Sequence, residues 1–152
     1  MKRFLIGSIS LLLVSATPAI AQAETFSLQS TQIAQESTER NSLISRGTFT
    51  TTEQDHPTSG TATIIKEGGK HYLVFSNNFT TANGPDVQVV LHRTSPVPVK
   101  LQEENYVTIA ALKSTEGGQR YEIPENIDLD EFDAVSIWCR EFNVSFGYAG
   151  LN

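Results

Sequence analysis

The sequence predicts an all-β fold: a single antiparallel β-sandwich or barrel-like domain of about seven or eight strands. Three observations predict it. From Gly47 onward the chain is a series of short runs rich in Thr, Val, Ile and aromatics. Clusters of Gly, Pro, Asn and Asp separate these runs. Within several runs apolar and polar residues alternate, which is the period of a strand with one buried face.

The elements follow in order. "GTFTTT" and "GTATIIKEGGKHYLVFS" come first, and Glu67-Gly68-Gly69-Lys70 fits a tight hairpin between Thr61–Lys66 and His71–Ser76. Glycines tolerate the positive φ that such turns demand. In "DVQVVLHR", Val87, Val89 and Leu91 alternate with Gln88, Val90 and His92. "NYVTIAAL" and "QRYEIP" follow, and "ENIDLDEF" suits one helical turn before the penultimate strand. In "AVSIWCR" alternation puts Val135, Ile137 and Cys139 on one face, with Ala134, Ser136, Trp138 and Arg140 on the other. "FNVSFGY" closes the set, with Phe142, Val144, Phe146 and Tyr148 in alternation. Pattern by itself leaves sandwich and barrel both open.

The segment before this domain has a different texture. Lys2 and Arg3 precede an apolar stretch from Phe4 to Ala16, and Ala19, Ala21 and Ala23 supply small residues at its exit. That is the layout of a signal peptide over residues 1–23, and the stretch is too short for a membrane span. Cleavage is expected after Ala21 or Ala23, giving an exported chain, periplasmic or extracellular, that is not an integral membrane protein. Residues 24–46 are rich in Gln, Ser and Thr and are expected to form a flexible linker. Residues 47–152 form the predicted β domain.

Charge and composition exclude several function classes. The net charge of the 152 residues is -6 at pH 7, and removal of Lys2 and Arg3 takes two further positive charges away. Such a balance argues against nucleic acid as a partner, which needs a basic patch. The chain has one cysteine, so no internal disulfide can form despite the oxidising destination.

Metal and cofactor sites find little support. His56, His71 and His92 stand in three separate segments. The single methionine is Met1, so methionine-ligated copper or haem is excluded from the processed chain. A His-only haem site stays open beside the reading of these residues as ordinary surface or core histidines. The acidic run Asp128, Asp130, Glu131, Asp133 lacks the central glycine and the distant bidentate Glu of a calcium loop, and reads as a solvated turn. No metal and no cofactor are expected. No G-x-S-x-G elbow or other hydrolase constellation occurs, and a stand-alone enzyme is not the expectation.

Two features stand out. In "NNFTTANGPDVQVVL" four turn formers, Asn83, Gly84, Pro85 and Asp86, precede a strand directly. Gly84 is expected at positive φ, Pro85 fixes the next φ, and Asp86 can accept backbone N–H groups. Asn83 and Asp86, with Trp138 and Arg140, are the candidate binding residues. Cys139 is the candidate redox residue. Either it is a buried small hydrophobe, or it lies at the sheet's rim, partly reachable, where Arg140 would favour its thiolate.

These segments together resemble a known family. "SGTATI", "YLVFSNNFTTANGPDVQVVL", "GGQRYEIPENIDLDEFDAVSIWC" and "FNVSFGYAGL" occur in this order from about Gly47 to Leu151, and the chain is similar to the DM-thirteen domain, the "electron transfer DM-thirteen" family. In animals that family is found beside DOMON and cytochrome-type modules, and its cysteine has been proposed to take part in redox transfer. The resemblance carries over to Cys139 and Trp138 as the "WC" pair and to Asn83-Gly84-Pro85-Asp86 as the "GPD" turn. No DOMON segment or cytochrome-type helix is seen in these 152 residues, which leaves the redox partner unassigned. The resemblance implies a redox or electron-transfer role through Cys139. A non-catalytic extracytoplasmic binding or adhesion module, with Cys139 structural and a protein or wall ligand, is the alternative.

Overall fold

The computed structural model describes residues 41–152. The expected signal peptide, and residues 24–40 of the expected linker, lie outside the described residues. Eight strands form: β1 (Asn41–Thr51), β2 (Thr61–Glu67), β3 (Lys70–Phe75), β4 (Val87–His92), β5 (Tyr106–Ala111), β6 (Gln119–Ile123), β7 (Ala134–Cys139) and β8 (Val144–Gly150). Two 3-10 turns, Glu103–Asn105 and Leu129–Glu131, precede β5 and β7, the second within the segment expected to make a helical turn. No α-helix occurs among the described residues, and none of their helices is long and apolar enough to cross a membrane. Residues 41–46 belong to β1 rather than to a linker, because their backbone pairs with β2 from Asn41↔Glu67 to Arg46↔Thr63.

All neighbouring strands are antiparallel, in the order β5-β4-β7-β8-β1-β2-β3-β6. Strand β1 joins the two halves: Asn41 to Thr48 pair with β2, and Phe49 to Thr51 pair with β8. The result is a nearly closed, barrel-like sheet. Strands β5 and β6 form its two edges, and side chains fasten the segment after β5 to β6. Lys113 N donates to Tyr121 Oη at 3.0 Å, Ser114 N donates to Gln119 Oε1 at 3.2 Å, and Gln119 Nε2 returns a bond to Ser114 O at 2.8 Å. The β2–β3 hairpin turns at Gly68 and Gly69 with φ of 57° and 84°, the left-handed values that glycine accepts without strain.

The barrel interior is filled by one apolar cluster. Phe49, Phe75 and Phe79 meet with ring centroids 4.6–5.3 Å apart, and Val89, Val135, Ile137, Cys139 and Phe146 continue the cluster. A second, smaller cluster of Val90, Val97, Leu101, Ala134 and Trp138 covers the other face of β4 and β7. The alternation in β4 and β7 therefore does not separate a buried from a wet face. All six residues of β7 are buried, because the chain around Val97–Leu101 folds over the outside. Alternation in β8 also breaks. A register shift opposite Ile137 and Trp138 sends Phe146 inward and Tyr148 to the outer cluster, while Phe142 precedes the strand and is 60% exposed.

Candidate functional site

The turn before β4 and the end of β7 are brought together by strand register. Val87 lies opposite Cys139, so the residues just before β4 pass over the last residue of β7. Arg140 N donates to Asp86 O at 2.9 Å, and Arg140 Nε donates to Asp86 Oδ2 at 2.7 Å. Gln88 Nε2 donates to the other carboxylate oxygen at 2.5 Å. The Arg140 bond, helped by Gln88 and opposed by partial burial, holds the Asp86 carboxyl below its usual range. Arg140 is thus paired with a carboxylate.

Gly84 does not adopt positive φ; among the described glycines only Gly60, Gly68, Gly69 and Gly117 do. Its role is close approach. A β-carbon at Gly84 would stand 3.0 Å from Val87 Cγ2, 3.2 Å from Phe146 Cζ and 3.6 Å from Cys139 Sγ. The turn closes through its own side chain instead, with Gly84 N donating to Asn83 Oδ1 at 3.0 Å. The glycine lets the turn lie down on the sulfur.

Cys139 is a free cysteine with 0% exposure. Of the two positions left open for Cys139, the fold provides the buried one and not the partly reachable rim. Although Cys139 ends its strand, β7 is flanked by β4 and β8, and the turn at 83–86 covers the end. Cys139 nevertheless borders a cleft of about 320 Å³. Asn83, Gly84 and Pro85 form one side of it, Phe142, Val144 and Phe146 another, and His56 completes the lining.

His56 is held in place from two directions. Its ring lies on Phe146 with centroids 4.3 Å apart and planes 7° from parallel, and its Nδ1 is bonded to Glu53 Oε2. This bond from His56 pulls the Glu53 carboxyl below its ordinary value.

Of the residues singled out in the sequence, Asn83, Gly84, Pro85, Asp86, Cys139 and Arg140 thus converge. Trp138 does not. It sits in the outer cluster and donates its indole N–H to Asn143 Oδ1 at 2.9 Å. His56, Phe142, Val144 and Phe146 are additions to the site. Phe142, Val144 and Phe146 were visible in the sequence only as an alternating run and His56 only as a lone histidine, since His56 is distant from Cys139 in the chain and reaches it through the loop after β1. Among the described residues no three His, Cys, Asp or Glu side chains gather as a metal-holding group.

Comparison with known proteins found no match among curated proteins and none among solved structures. A family model described as Electron transfer DM13 matches residues 48–151. That span takes in every strand from β2 to β8, the turn at 83–86 and Cys139, and the chain belongs to the Electron transfer DM13 family.

Proposed function

We propose that the chain is exported after cleavage following Ala21 or Ala23, and that its DM13 domain is a thiol redox module acting through Cys139. The observation that carries this reading is the position of the chain's one thiol on the apolar cleft at the end of β7, within a domain of an electron-transfer family. A lone thiol has no internal partner, so it exchanges with a partner's sulfur. The Cys139 proton goes to solvent, its sulfur attacks one sulfur of a small disulfide, that S–S bond breaks, and the second sulfur leaves as thiolate. A small thiol supplied by an extracytoplasmic redox partner then attacks the outer sulfur, Cys139 leaves as a thiolate and regains its proton, and the new small disulfide departs. The domain serves such a partner and is not a stand-alone enzyme. Entry is restricted to small, uncharged reagents, because the cleft is apolar and Cys139 has no open surface.

The test is modification of the folded chain. Methyl methanethiolsulfonate, small and uncharged, should label Cys139 in native protein, while a bulky charged aromatic disulfide should label it only after denaturation. No labelling by either reagent in the folded state at about pH 9 would sink the redox role. Export is checked separately, by N-terminal sequencing that begins at Gln22 or Glu24.

The complete burial of Cys139 favours a second reading. In it the cysteine is a small core hydrophobe, and the domain is a non-catalytic module binding an extracytoplasmic protein or wall ligand through its loops. Lack of native labelling, with a stability loss in Cys139→Ser, would support it.

A further inference from the structure

We propose that the cleft beside Cys139 is a binding site for a small, uncharged phenol-type ring whose hydroxyl donates to Nε2 of His56. The walls select an aromatic guest. Phe142, Phe146, Pro85 and the imidazole of His56 all line the space, and flat rings gain most from stacking on or edging against such walls. Phe142 is 60% exposed, a large apolar side chain held at the mouth outside either core cluster, where a guest ring would cover it. A volume of about 320 Å³ accommodates one substituted ring and lies at the lower end of the range of small-molecule pockets.

No Asp, Glu, Lys or Arg lines the cleft, so a charged guest would lose its hydration without a partner. The polar handle is His56. Its Nδ1 is taken by Glu53, whose lowered pKa keeps it an ionised acceptor at neutral pH; it therefore receives the Nδ1 proton. In the neutral ring Nε2 is then the acceptor, and no described residue bonds to it. A hydroxyl satisfies that nitrogen, whereas a carbonyl oxygen cannot. The Glu53–His56 bond and the Phe146 stack fix the ring's orientation before any ligand arrives.

This inference deepens the redox reading by naming the kind of molecule that occupies the site, and its test is independent of sulfur chemistry. The full chain is titrated with phenol, toluene and benzoate while the backbone amide signals of Phe142, Val144 and Phe146 are followed by NMR. Saturable phenol binding in the millimolar range, with benzoate at least tenfold weaker, is the expected result. His56→Phe keeps a stacked ring and removes the nitrogen. It should weaken phenol about three- to tenfold, the effect of one neutral hydrogen bond, and leave toluene within about twofold. Glu53→Ala releases Nδ1 and should weaken phenol in the same direction, which secures the test if His56→Phe folds poorly. Native thiosulfonate labelling of Cys139 is scored on the same parent protein as a separate measurement, so failure of the redox reading and failure of this one are told apart. No saturable phenol shift, benzoate binding equal to phenol, or phenol affinity unchanged in both His56→Phe and Glu53→Ala would overturn it.

Discussion

Arg140 grips Asp86 twice, through its backbone N–H to the Asp86 carbonyl at 2.9 Å and through Nε to Oδ2 at 2.7 Å. Because Arg140 follows Cys139 and Asp86 closes the 83–86 turn, this pair ties the cover of the cleft to the strand that carries the thiol. The two bonds differ in what can remove them, since only the side-chain bond depends on charge.

That difference sets a pH dependence. The folded-state pKa of Asp86 is depressed below its ordinary 3.8, so the pair's contribution is present above that value and is lost as pH falls through the folded pKa. Arg140→Gln should be less stable than the parent near about pH 7, and the gap should close in acid below pH 3.8. In the variant the Asp86 carboxyl should titrate higher by NMR. A stability gap that is the same at both ends of this range would show that charge is not what holds the turn.

Gly84 is a steric requirement. A β-carbon there must displace Val87 and Phe146 by a few tenths of an ångström, and Gly84→Val adds two more methyl groups against the same side chains. The expected loss is about 1–3 kcal/mol, the usual range for overpacking, measured by chemical denaturation. Gly84→Ala should lose less and still slow thiosulfonate labelling of Cys139, by narrowing the cleft. A melting temperature unchanged in Gly84→Val would show that the turn lifts freely from the sheet.

Ser136 and Ser145 form a buried polar pair. Their hydroxyls are 2.7 Å apart, and Ser136 Oγ also donates to Gly147 O at 3.1 Å. Ser136→Ala leaves Ser145 fully buried without its partner, at a cost of roughly 1–3 kcal/mol. The double variant Ser136→Ala/Ser145→Ala removes both hydroxyls and should be no worse than the single one. Strictly additive losses in the cycle would contradict the pairing.

Asn143 shapes the β7–β8 connection at φ 49°. Its side chain accepts from Trp138 Nε1 and Leu101 N, each at 2.9 Å, and donates to Leu101 O at 3.0 Å. Asn143→Ala loses three bonds and puts in left-handed backbone a residue that tolerates it less well than Asn, for about 2–4 kcal/mol in total. Asn143→Gly loses the bonds but keeps the backbone freedom, so it should lie between Ala and the parent. Equal losses for Ala and Gly would mean the backbone angle contributes nothing.

Most strands were legible because their signals are local. Runs of β-branched and aromatic residues broken by turn formers mark all eight strands, and the paired glycines after Glu67 mark the first hairpin. Cys139 and the 83–86 turn were also visible, as unusual local features. The errors came where a distant segment decides. Strand β1 begins at Asn41, inside a polar stretch, because β2 offers its edge there. Gly84 looked like a positive-φ turn residue, yet its constraint comes from Val87, Phe146 and Cys139.

The sequence by itself determined the all-β class, the turn positions and the faces of β7, since each depends on residues within a few positions of one another. It determined also that any thiol chemistry falls to Cys139, by counting. Only the tertiary structure decided the barrel-like closure, which rests on Tyr121 and Gln119 meeting Lys113 and Ser114 across the seam. It alone decided that Cys139 is covered and that Trp138 turns away from it. And it alone placed His56 on Phe146 beside the thiol, because strand register and loop path bring together residues that no local pattern relates.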